Sequence, residues 1–123
     1  MGVAWLLTVA VEGVVLWYLL HPMHAPRTRW FAAAWLSACT LPLVHLGFPA
    51  LRAFGASDAA WIALAEVFAP LAEVALFALV VAPVPAGHRL AAGSGAIAAA
   101  RRRDATAIVI ANLASFAVGL LLR

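Results

Sequence analysis

Four apolar runs, residues 3–20, 30–50, 60–82 and 105–122, fill most of this 123-residue chain. A bilayer core takes about 20 helical residues to cross, so each run is of spanning length, the first and last at the short end. Lipid offers no partners to backbone N–H and C=O groups, so spans of this kind fold as helices. The composition agrees. Hydrophobic residues make up 67% and charged residues 11% of the chain, whereas soluble domains are about half apolar and a quarter charged. The expectation is an all-α integral membrane four-helix bundle forming a single domain. Residues 3–20 lack a basic leader and are interrupted by Glu12, which argues for a span rather than a cleaved signal. No internal repeat is visible, although each half of the chain makes one helical hairpin.

The net charge is +3 and every basic side chain is an arginine. These arginines flank the apolar runs, which points to topology rather than to nucleic acid. Arg27 and Arg29 lie between the first two runs, and Arg89, Arg101, Arg102 and Arg103 between the last two. Arg52 sits in the middle connection and Arg123 at the C-terminus. The positive-inside rule then puts both termini on the non-cytoplasmic side. Trp17, Tyr18, Trp30 and Phe31 fit one interfacial belt, and Trp5, Phe48 and Trp61 the other. Two prolines make residues 21–26 a tight turn, whose His21 and His24 are loop histidines or, alternatively, metal ligands. Residues 83–95 form the longest loop, and Ser94 is suited to cap a helix that runs through the arginine cluster before reaching the membrane.

Polar side chains inside the runs carry what functional information there is. Glu12, Thr40, Glu73 and Asn112 fall near the midpoints of the four spans. His45, Glu66 and Ser115 make the next layer toward the termini, and the opposite half of the bundle has almost none. Glu66 and Glu73 are seven residues apart and share a helix face. Pro70, between them, cannot donate to the carbonyl of Glu66, and Pro42 does the same to Ala38. Thr8 and Glu12 share a face with Ala4. A carboxylate at mid-bilayer costs about 3 kcal/mol on insertion scales, and no arginine lies within a span to compensate it. The acids therefore carry protons or share a bound cation, with ordered water as a further occupant and with His45, Glu66 and Glu73 as the possible metal ligands. Ala107, Ala111, Ser115 and Gly119 recur every fourth residue, a small-residue stripe for close helix packing. The single Cys39 allows no intrachain disulfide.

Three segments together suggest a relationship: residues 41–49 (LPLVHLGFP), Glu66 with Glu73, and residues 111–120 (ANLASFAVGL). The chain resembles a group of small, uncharacterised bacterial four-span membrane proteins. That group carries an acid in the first helix, an Asn-x-x-Thr-His-Pro-like run in the second, two acids in the third and Asn-x-x-Ser in the fourth. The chain departs from it in the second helix, with Ser37 in place of Asn and Leu41 in place of His, which speaks against a metal role for that segment. The resemblance implies a shared polar site in a bacterial inner membrane, and no activity.

Two functions remain open. A four-span protein with little mass outside the bilayer suits an accessory or structural subunit that binds a larger membrane protein or its own copies. The outward ladder of Glu73, Glu66 and His45 suits a proton- or cation-binding carrier component instead. An intramembrane metal enzyme is the weaker reading, because no His-Glu-x-x-His spacing is present and Cys39 and His45 face apart.

Overall fold

The computed structural model describes residues 2–81 and 94–122, and these are helical with short turns between the helices. Helix α1 is Gly2–Leu19 and helix α2 is Pro26–Pro42. Helix α3 is Asp58–Leu76 and helix α4 is Ser94–Leu121. Three helical stretches, Pro26–Phe54, Asp58–Val81 and Ser94–Leu121, are long and apolar enough to cross a membrane; α1 is apolar but shorter. The four-helix, all-α expectation holds. The loop expected over residues 83–95 lies mostly outside the described residues, as do Arg89 and Arg123. Ser94 opens α4, which runs through Arg101–Arg103 without a break.

Local sequence accounts for the helix ends. Pro26 stands in the first turn of α2, where its missing N–H has no partner to lose. The Ser57 hydroxyl caps α3 by accepting the Ala60 N–H at 3.2 Å. Past Pro42 the chain stays helical but changes register, first as a π turn at Leu43–Gly47 and then as a 3₁₀ stretch at Phe48–Phe54. A proline inside a helix removes one donor, and a π turn is a common way to absorb the mismatch. Gly55, at φ 87°, ends this stretch in the left-handed conformation that suits glycine.

Helix α1 packs against α2 and α4, and α3 against α4 and the extension of α2. Helices α1 and α2 approach closely at Gly13. A Cβ there would lie 2.8 Å from Cε3 of Trp30 and closer still to its Cζ3. The indole of Trp30 thus fills the space that a larger residue on α1 would occupy, and its ring centroid lies 6.3 Å from that of Trp17. The close-packed core is formed by Leu16, Leu20, Ala32, Ala33, Leu36, Phe77, Ala107, Ile108 and Ala111. These come from the end of α1, the start and middle of α2, the π turn at Phe77–Val81 that follows α3, and the middle of α4. They therefore occupy one half of the bundle, the half that ends in the arginines. Large apolar side chains such as Val67, Leu71 and Leu79 project from the outside, as expected of a surface solvated by acyl chains.

Candidate functional site

The other half of the bundle is hollow. A cavity of about 650 Å³ runs from the midplane of the helices to the end where the chain starts and finishes. Glu12, Ser37, Thr40, Glu73, Asn112 and Ser115 form its floor, and His45 and Glu66 line it nearer the mouth. All seven residues expected to form a polar site therefore border one space. Helical periodicity is the reason. Glu66 and Glu73 lie two turns apart on α3 and point the same way, and Ser37 with Thr40, like Asn112 with Ser115, lies about one turn from its neighbour.

The floor is two carboxyl groups, each held by two helices besides its own. Glu73 is 3% exposed and accepts from Thr40 Oγ1 at 2.7 Å and from Asn112 Nδ2 at 2.7 Å. Glu12 is 2% exposed and accepts from Ser37 Oγ at 2.5 Å and from Ser115 Oγ at 3.2 Å. The two acids are near enough for their charges to interact. Asn112 pairs with Glu73 rather than Glu12, and Ser115, expected one layer further out, completes the Glu12 site.

The same donors also reach backbone carbonyls. Ser37 Oγ is 2.7 Å from the carbonyl of Ala33, Thr40 Oγ1 is 3.1 Å from that of Leu36, and Ser115 Oγ is 3.0 Å from that of Asn112. A hydroxyl has one hydrogen to give. Each of these three hydroxyls therefore lies between a carboxyl oxygen and a carbonyl, with hydrogen for only one of them. The Asn112 amide has two hydrogens and serves both Glu73 and the carbonyl of Ile108. Those carbonyls already accept the N–H groups of their own helices, so each hydroxyl is free to donate to its carboxyl. What the ionised floor lacks is positive charge, since among the described residues no arginine lines the cavity.

The remaining sequence expectations fare differently. Among the described residues no group of three His, Cys, Asp or Glu side chains is placed to hold a metal ion. This corrects the possible ligand set His45, Glu66 and Glu73: they border one cavity but stand at different depths, with Glu73 held by Thr40 and Asn112. The small-residue stripe is half closed. Ala107 and Ala111 are buried, but nothing lies within 4 Å of a Cβ built on Gly119, which lines the cavity. Cys39 is a free thiol.

A second polar cluster, at the arginine end, was not legible in the sequence. Asp104, 4% exposed, pairs with His24 Nε2 at 2.8 Å and accepts the backbone N–H of His21 at 2.8 Å. The His24 ring packs edge-on against Phe77, with centroids 5.3 Å apart. Arg29 donates to the carbonyls of Trp17 and His24, and Arg103 donates to that of Leu19 at 2.9 Å. Two arginines thus satisfy carbonyls at the open C-terminal end of α1, where cations also suit the helix dipole. His21 and His24 lie in the turn between α1 and α2, as the loop reading expected, and join this interhelical clamp; among the described residues no metal-holding group includes them. At the opposite end Arg52 pairs with Asp58 at 2.5 Å and lies over the Trp61 ring, outside the cavity.

No family model, curated protein or solved structure matches this chain.

Proposed function

We propose that the protein is a multi-pass membrane component that takes up a proton or a monovalent cation at the Glu12–Glu73 floor of its cavity, as a carrier or part of one. The observation that carries this reading is that Glu12 and Glu73, both buried, are held by the neutral side chains of Ser37, Thr40, Asn112 and Ser115. Two buried acids that lie close together with no basic partner among the described residues need compensation, since an isolated buried charge is costly. A proton on either acid, or a cation between them, supplies it. The cavity supplies a route from one end of the bundle to that floor, while the packed core closes the other end. The proposed location is a bacterial inner membrane with both termini outside the cytoplasm. The arginine distribution and the resemblance to small four-span proteins support that assignment.

The test is thermal unfolding of purified protein across pH and with added monovalent and divalent cations. The wild-type curve is expected to move with pH and with a monovalent ion. Glu12→Gln and Glu73→Gln are expected to blunt both responses, because Gln keeps the shape but holds neither a proton nor a cation. A wild-type curve indifferent to pH and ions would overturn the reading.

One observation favours a second reading, an accessory subunit. The space beside Gly119 belongs to the cavity, and at the cavity's outer end it leaves room for a helix of a membrane partner or of a second copy to pack on the α4 stripe. Purification in several mild detergents checks it. A stoichiometric companion or a defined oligomer supports this reading, and recovery of the bare chain each time counts against it.

A further inference from the structure

We propose that the cavity's ligand is a lipophilic organic monocation, with its charged head on the Glu12–Glu73 floor and its apolar body along the walls above. This deepens the proposed function and rests on it. Size is the first argument. At about 650 Å³ the space is far larger than a bare ion or a single water, which takes about 30 Å³ of liquid. It falls in the range of about 300–1,000 Å³ typical of sites for organic ligands of moderate size.

The lining is the second argument. Leu7, Leu41, Val44, Trp61, Ile62 and Phe116 make the walls apolar and partly aromatic. A hydrated metal ion gains nothing from such walls, and among the described residues no trio of ligands is placed to replace its water. An apolar body does gain, through removal of surface from water. Aromatic faces also attract a desolvated organic cation.

Charge is the third. Glu12, Glu66 and Glu73 all line the cavity, with His45 as the other titratable group, and among the described residues no arginine does. An anion of the same shape meets the two acids of the floor, with no arginine among the described residues lining the cavity. A neutral molecule leaves the floor as short of compensation as before. A monocation relieves the floor as a proton does, so the two compete for it, and the displaced proton leaves by the cavity mouth.

The experiment is equilibrium dialysis of tetraphenylphosphonium against the full chain in nanodiscs of zwitterionic lipid. Tetraphenylborate, equal in shape and opposite in charge, serves as the comparison. Saturable phosphonium binding is expected, unaffected by tetraphenylborate and weaker as the pH is lowered. Glu12→Gln and Glu73→Gln are each expected to weaken it about tenfold or more. Equal binding of both probes would show only a greasy pocket and overturn the proposal; this comparison needs no variant to fold. Retention of full phosphonium affinity by folded Gln variants would also overturn it. If phosphonium fails to bind while the unfolding curve still responds to protons and small cations, the organic ligand is wrong and the proposed function survives. If both responses are missing, both readings fall together.

Discussion

Asp104 directly follows three exposed arginines, where a solvated helix position is the natural expectation. Its surroundings are instead a buried imidazole and a backbone N–H from a turn 80 or more residues earlier. Removing one member of a buried pair leaves the other unpaired, at a cost of about 3–5 kcal/mol in well-buried cases. Asp104→Ala is therefore expected to lower the unfolding temperature strongly. Asp104→Asn, which keeps one oxygen for the His21 N–H and a polar group toward His24, should fall between Ala and wild type. Identical unfolding temperatures for all three would show that the clamp contributes no stability. Ser37 follows the same logic. In the sequence it is one small polar residue in an apolar run, yet its hydroxyl is the nearest donor to Glu12. Both residues escaped a reading of the chain because their roles depend on partners from distant turns, and neither hydropathy nor periodicity encodes such partners. Glu12 and Glu73 were legible for the opposite reason: an acid at mid-span is anomalous by itself.

Helical phase is the part of the elements that the chain spells out most clearly. The seven-residue interval from Glu66 to Glu73 put both on one face, and both line the cavity. Pro42 announced a disturbance in α2, but not that the helix would continue through a π turn and then a 3₁₀ stretch. A proline specifies the lost donor, and tertiary packing decides how the backbone recovers it. Gly13 left no signal either, since one glycine in an apolar helix is unremarkable by composition. Its role appears only with the Trp30 ring against it. Gly13→Ala is expected to force α1 and α2 apart, destabilising the protein by about 1–3 kcal/mol, the usual range for overpacking. Combining it with Trp30→Leu should recover part of the loss, because the clash needs both partners. Additive losses in the double variant, read from thermal unfolding, would mean that the glycine serves some purpose other than admitting the indole.

Across the whole molecule the two halves are built differently, and the difference gives the bundle a direction. One half is packed, clamped by Asp104 and His24, and ringed by Arg27, Arg29 and Arg101–Arg103. The other is hollow, carries three acids along its cavity and has Arg52 beside Asp58 at its rim. If the arginine-rich end faces the cytoplasm, the cavity opens to the outside and its ligand arrives from there. Single thiols on a Cys39→Ser background test this orientation. Phe54, 87% exposed, lies at the cavity end, and Met23, 48% exposed, at the arginine end. In intact cells a membrane-impermeant maleimide should label the thiol of Phe54→Cys. The thiol of Met23→Cys should react only after the membrane is permeabilised. The reverse pattern would turn the bundle over, so that the same floor would load from the cytoplasm and any carrier role would begin with export. Labelling of both thiols in intact cells would mean that the chain inserts in two orientations, and the cavity would then face both compartments in different copies.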